Sequence, residues 1–95
     1  MRIYRTTSQA AETFHEFFRT WLLPTQLRHG ARLVGRWETE DARVVAIWEY
    51  DDSAEYERVR AAVAADPESH RAQDYRRTLP VLFTEHEETF MRATV

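Results

Sequence analysis

Apolar residues recur at helical spacing early in the chain. Ala10, Ala11, Phe14, Phe17, Phe18, Trp21 and Leu22 fall on one stripe, which predicts an amphipathic helix with a heavy aromatic face. Ser8 stands where such a helix needs an N-cap. Pro24 lacks the N–H that a helix interior uses, and its ring crowds the turn before it. The helix must therefore kink there, or a second short helix must begin. Gly30 follows His29 and suits a left-handed helix stop. Ahead of the helix, Arg2 to Thr7 carries Ile3 and Tyr4 and reads as a first strand.

From Ala31 to Tyr50 the pattern becomes strand-like, and a hairpin can be written pair by pair. With Glu38 facing Arg43, the loop is Thr39-Glu40-Asp41-Ala42. Trp37 then faces Val44, Gly35 faces Ala46, Leu33 faces Trp48 and Ala31 faces Tyr50. The opposite face pairs Glu38 with Arg43, Arg36 with Val45, Val34 with Ile47 and Arg32 with Glu49. Opposite charges meet at both ends of this second face, with an apolar pair between them. Cross-strand pairs of this kind contribute roughly 0.2–1 kcal/mol each, and a one-residue slip would reverse the faces.

Asp52 and Glu55 form a capping box for another helix, with Tyr56, Val59 and Val63 on its buried side. Asp66-Pro67 ends that helix and starts the next, with Asp as N-cap and Pro at the first helical position. The next helix carries His70, Ala72 and Tyr75 and ends before Leu79-Pro80. A final strand is predicted between Val81 and Val95, around Thr89 to Thr94. Glu85-His86-Glu87-Glu88 is polar on both faces, which marks an exposed edge or a polar cavity wall. The order is β-α-β-β-α-β: an α+β, ferredoxin-like split unit with an antiparallel sheet. Helices on one side leave the other sheet face bare, yet the hairpin is apolar on both. A second copy of the chain is the simplest cover, which predicts a homodimer with packed sheets.

Composition narrows the function without naming it. Ninety-five residues, 43% hydrophobic and 13% aromatic, make one domain spanning residues 1–95 with enough apolar material for a core. The net charge of −3 offers nucleic acid no electrostatic footprint. All 13 basic residues are arginine, and there is no cysteine for thiolate chemistry, disulfides or metal ligation. No segment approaches the ~20 apolar residues of a membrane span, and no apolar run resembles a signal peptide, so a cytoplasmic protein is expected. Serine-nucleophile motifs, phosphate loops and glycine-rich dinucleotide fingerprints are absent.

Several blocks, in order, resemble the NIPSNAP family. They are Leu23-Pro24-Thr25-Gln26-Leu27-Arg28-His29-Gly30-Ala31, Leu33-Val34-Gly35-Arg36-Trp37 and Val45-Ala46-Ile47-Trp48-Glu49-Tyr50. Glu55-Tyr56-Glu57, then Asp66-Pro67 with His70-Arg71-Ala72-Gln73, continue the match over nearly the whole chain. The resemblance implies a dimeric α+β barrel and no settled reaction. Related dimeric barrels include antibiotic-biosynthesis monooxygenases and haem-degrading enzymes, in which a pocket between sheet and helices holds a large, flat or apolar substrate.

The candidate site follows from the hairpin pairing. Gly35 opposite Ala46 leaves a notch between the pairs carrying Trp37 and Trp48, and large residues flanking small ones suit a pocket floor. Either Phe14, Phe17 or Phe18 fills that notch or a ligand does. Trp48, Trp37, Gly35 and Phe18 are the lining candidates. Tyr4 and His29, with Arg28 and Arg36, are candidates for a polar mouth that would take a carboxylate; His29 and Arg28 equally suit a helix end, where positive charge complements the dipole. Arg36, Val34 and Ile47 share the opposite face and are assigned to the dimer interface. His70 sits where the haem-degrading relatives carry an axial histidine, and it is the one catalytic candidate; those relatives also use an asparagine on the first strand, which this chain lacks. No cofactor is required by the residues, and haem enters only through the resemblance. His86 with its flanking glutamates has no second histidine nearby, so no metal site is assigned. Two function classes stand: a small-molecule site, as ligand binder or cofactor-free enzyme, and a non-catalytic interaction module.

Overall fold

The computed structural model describes residues 1–95. Strand β1 (Arg2–Arg5) leads into a helical run made of α1 (Ser8–Phe17), a π-helical turn (Phe18–Leu22) and α2 (Leu23–Arg28). Strands β2 (Arg32–Glu38) and β3 (Arg43–Glu49) form the hairpin, α3 (Ser53–Ala65) and α4 (Pro67–Arg76) follow, and β4 (Glu85–Glu88) closes the sheet. All pairings are antiparallel and the order is β2-β3-β1-β4, the split βαβ arrangement that the element order implies. The molecule is a slab, 36 × 34 × 17 Å. The short dimension accommodates one sheet and one helical layer, with nothing on the far side of the sheet. No helix is long and apolar enough to cross a membrane.

Local chemistry explains the boundaries. The cap of α1 is Thr7, not Ser8: Thr7 is still extended, and its hydroxyl accepts the Ala10 N–H at 3.1 Å. Pro24 produces the π turn. It cannot donate to the carbonyl four residues back, and the Leu23 N–H reaches the Phe18 carbonyl instead, widening the helix by one residue just ahead of the ring. Gly30, at φ +98°, stops the run: its N–H bonds the Leu27 carbonyl and the Ala31 N–H bonds that of Gln26, a Schellman closure. Asp52 caps α3 through the Glu55 N–H at 2.8 Å, while Glu55 accepts from Asp51 rather than from the cap residue itself. Asp66 caps α4 through the Glu68 N–H.

The hairpin departs from simple pairing in an instructive way. Arg32 does face Glu49 and Leu33 does face Trp48. A bulge lies between Leu33 and Gly35, and past it Gly35 faces Ile47, Arg36 faces Ala46, Trp37 faces Val45 and Glu38 faces Val44. The cause is at the turn. Ala42 adopts φ +62° and the Thr39 N–H bonds the Arg43 carbonyl, so three residues form the tight turn and the register starts one residue off. The bulge restores it. Between the two irregularities every side chain of β2 is turned over. Arg36 lies on the helix-facing side, not in a sheet–sheet interface, and Gly35 and Trp37 lie on the outer face rather than over the helices.

Gly35 has a separate reason to be glycine. The Trp37 indole folds back along the edge strand across it, and an added Cβ would stand 2.6 Å from Trp37 Cζ2. Gly35→Val is expected to expel the ring and cost about 1–3 kcal/mol through overpacking. Urea unfolding followed by tryptophan fluorescence checks this; an unchanged midpoint would show that the ring yields freely.

The final strand is Glu85–Glu88, upstream of Thr89–Thr94. Strand β1 pairs with those four residues, from Arg5 opposite Glu85 to Arg2 opposite Glu88, and the ladder ends with Met1 and Thr89 bonded to each other. The core sits between sheet and helices. Phe14, Phe17, Val44, Ala72 and Leu82 are its buried centre, with Tyr4, Trp21, Leu22, Leu79 and Phe83 packed around it.

Candidate functional site

The helix-facing side of the sheet reads, across β3, Val44, Ala46 and Trp48. Ala46 is the small residue between two larger ones, so the notch lies here and not at Gly35. The π turn brings Phe18 edge-on to Trp48, centroids 6.1 Å apart. Helices α3 and α4 stand off from the sheet and contact it through few residues. Between these walls lies a cavity of about 660 Å³.

Its floor is apolar. Tyr4, Ala46 and Trp48 rise from the sheet, Phe18 and Leu22 from the helical run, and Val63 from α3. The aromatics able to plug it are engaged elsewhere or only form its edge. Trp21 stacks on Tyr75 at 4.9 Å, outside the cavity. Phe14 packs edge-on to Tyr4 at 5.3 Å and beside Phe83 at 5.4 Å.

One wall is polar. Arg2 Nε lies 2.8 Å from one oxygen of Glu88, and the Tyr56 hydroxyl donates to the other at 2.7 Å. This clasp ties α3 to the edge of the sheet. Burial works against the Glu88 charge, yet Tyr56 and Arg2 outweigh it and hold the carboxyl below its usual range. His86 stacks on Tyr4 at 5.9 Å, so the segment Glu85–Glu88 is both an edge strand and a cavity wall. The clasp is not visible in the sequence, because it depends on placing β4 four residues before the apolar stretch that looks more strand-like.

Of the residues singled out in the sequence, the cavity brings together Trp48, Phe18, Tyr4 and His70. Trp37 and Gly35 are on the other side of the sheet, together with Ile47. His29 is not at a mouth. Its Nε2 lies 2.7 Å from Asp66 Oδ2, which also accepts from Arg28 at 2.6 Å. These bonds clamp the end of α2 to the start of α4. Arg28, His29 and the Glu68 N–H hold the Asp66 carboxyl far below the usual carboxylate range. A depressed carboxyl adds stability that is complete above its unfolded-state pKa and drains away as pH falls from there through the folded one, while the clamp itself releases only in strong acid.

Arg36 replaces the expected interface role with an internal one. Its guanidinium lies 4.3 Å over the Phe18 ring and 4.8 Å over Phe14. Nη1 donates to His15 Nδ1 at 2.6 Å, which leaves the His15 Nε2–H to donate to Glu38. Nη2 is buried with no partner. Burial pushes this guanidinium down to about 10.

His70 lies on the cavity wall, but its Nε2 is 3.2 Å from the Ala64 carbonyl and must donate to it. That ring nitrogen is committed to joining α4 to α3, so the arrangement does not fit an axial iron ligand through Nε2. The chain holds no cluster of three or more ligating side chains for a metal ion.

Comparison with known proteins puts this geometry in a group. The family model described as NIPSNAP matches residues 1–95. An uncharacterized NIPSNAP domain protein from Burkholderia xenovorans has a crystal structure similar to this chain at a TM-score of 0.81 and 25% identity, covering 98% of this chain and 91% of that one. An uncharacterized NIPSNAP-like domain protein from the same organism is similar at 0.75 and 27% identity, covering 90% and 75%. A protein from Agrobacterium tumefaciens is similar in fold at 0.82 with 23% identity, covering 96% and 88%. No curated protein matches the chain.

Proposed function

The chain belongs to the NIPSNAP family, and from that premise we propose that it works as a homodimer whose protomers each bind a small apolar or aromatic molecule between sheet and helices. One observation carries the reading: the cavity of about 660 Å³ beside Trp48 stays open although the chain has aromatic side chains to spare. Ligand pockets run to roughly 300–1,000 Å³ with mainly apolar walls and a few polar groups. A protein selected only for stability would close such a space, because interiors pack to the density of organic crystals.

The dimer supplies what the sheet lacks. The outer face carries Ile3, Val45, Ile47 and Trp37, and no helix covers it. Trp37 is 50% exposed and Val34 57%. Arg5 with Glu85 and Arg43 with Asp41 stand around these residues. An apolar centre with a charged rim suits a self-complementary sheet contact.

The binding test uses N-phenyl-1-naphthylamine, a neutral dye that brightens on leaving water. Wild type is expected to bind it. Ala64 is exposed on α3 and lines the cavity, so Ala64→Trp fills the space from a position that tolerates size. Its affinity for the dye should fall about tenfold or more, the loss of roughly 1.4 kcal/mol. Equal binding by both proteins would sink the cavity reading. An enzyme reading, as a cofactor-free oxygenase, uses the same cavity, but its one carboxylate, Glu88, is already held by Arg2 and Tyr56. An interaction module has no use for the cavity at all.

A further inference from the structure

The charge inside the cavity runs against the charge of the chain. The protein is −3 overall. The cavity wall nevertheless carries Arg2, Arg60 and Arg76 against a single carboxylate, Glu88. Two of these arginines are already matched. Arg2 is held by Glu88, and Arg60 leans to Glu57 on the exposed rim.

Arg76 is matched by nothing. It is half-buried at the end of α4 and makes no ion pair. The acids of its own helix are taken: Asp74 by Arg77 and Glu68 by Arg71. Its guanidinium lies 4.6 Å over the Phe83 ring. The same ring meets His86 edge-on at 5.9 Å, so two groups able to carry positive charge share one aromatic support. Stacking uses the flat face of a guanidinium and leaves its N–H edge free, and that edge matches the two oxygens of a carboxylate, sulfonate or phosphate. A half-buried cation without a counter-ion is an unfavourable arrangement that an anionic ligand would relieve.

We propose that the cavity takes an amphiphilic anion, with its apolar body against Trp48 and Phe18 and its acidic group on the edge of Arg76. The inference rests on the reading of the cavity as a ligand site and adds the chemistry of the head group. A neutral molecule would bind by its body alone. An acid of the same shape would gain charge-assisted hydrogen bonds.

The test pairs two dyes of one shape: N-phenyl-1-naphthylamine and its sulfonated form, 1-anilinonaphthalene-8-sulfonate. Wild type should bind the sulfonate about tenfold more tightly than the neutral dye, the least that hydrogen bonds to charged groups supply. In Arg76→Gln that preference should vanish, the sulfonate then binding no more tightly than the neutral dye, with an unaltered far-UV spectrum showing that the variant folds. Decanoate and decyl phosphate should displace the sulfonate from wild type, and decanol should not; the stronger of the two displacers identifies the acidic group. Equal binding of the two dyes by wild type, or an unchanged preference in Arg76→Gln, overturns the anion assignment and leaves the cavity reading standing. Failure of both dyes to bind overturns both.

Discussion

Phe14→Ala is expected to remove a large share of the protein's stability and to lower its Tm by about 15 °C or more. Phe14 is only 2% exposed. Its ring joins three elements at once: Tyr4 on β1 at 5.3 Å, Phe83 ahead of β4 at 5.4 Å, and the Arg36 guanidinium from β2 at 4.8 Å. Truncating a buried phenylalanine costs about 3–5 kcal/mol, because the lost transfer energy is joined by the void left behind. The void here would merge with the cavity already beside it, so the walls have little reason to collapse inward. A domain of this size has roughly 5–15 kcal/mol in total. A fall of about 15 °C or more in Tm follows for a chain of this length. Thermal unfolding followed by circular dichroism measures it. A fall under about 5 °C would mean that the ring carries little of the core.

Ile47→Asp is expected to turn the proposed dimer into a monomer that still folds. Ile47 is half-buried on the outer face, directly across from Gly35, with Trp37 and Val45 beside it. In one protomer a carboxylate there can reach water. Between two sheets it would be buried without a partner, which is expensive. Residues at the centre of an interface change affinity by about 2 kcal/mol or more, so the dissociation constant should rise at least ~30-fold. Sedimentation velocity at micromolar concentration reads the change, and an unaltered far-UV spectrum confirms that the protomer survives. A wild type that sediments as a monomer would remove the dimer from the proposal.

Much of the layered architecture was readable from spacing alone. The aromatic stripe from Phe14 to Leu22 marks the helix that covers the sheet, and Pro24 and Gly30 mark its distortion and its end, because each has one backbone property that other residues lack. Asp52 and Asp66 announce their helices for the same reason. The hairpin was legible as a hairpin but not in register. The offset originates at Ala42, a residue type that gives no warning of a left-handed turn. Once the turn is shifted by one, the faces of Gly35, Arg36 and Trp37 reverse together, which moved the notch to Ala46 and sent Arg36 among the helix aromatics. Strand β4 was hidden by its charge. An edge strand with one face to water and the other to a polar cavity wall has no apolar alternation to detect. Arg76 was missed for a related reason: an unpaired arginine becomes conspicuous only when its neighbours' partners are known.

The strand order also dictates when the cavity comes into being. Strands β2 and β3 are joined by a tight turn and can pair as soon as both exist. Arg2 and Glu88, which close the polar wall, are 86 residues apart. Loop closure over that distance must precede any reward from the contact, and such non-local pairings are the slow ones in folding. On a ribosome, the hairpin and the helical run can form while β1 still waits for its second neighbour. The cavity is then the product of the last pairing event, so a molecule that binds there would stabilise the completed sheet and not the partly folded chain.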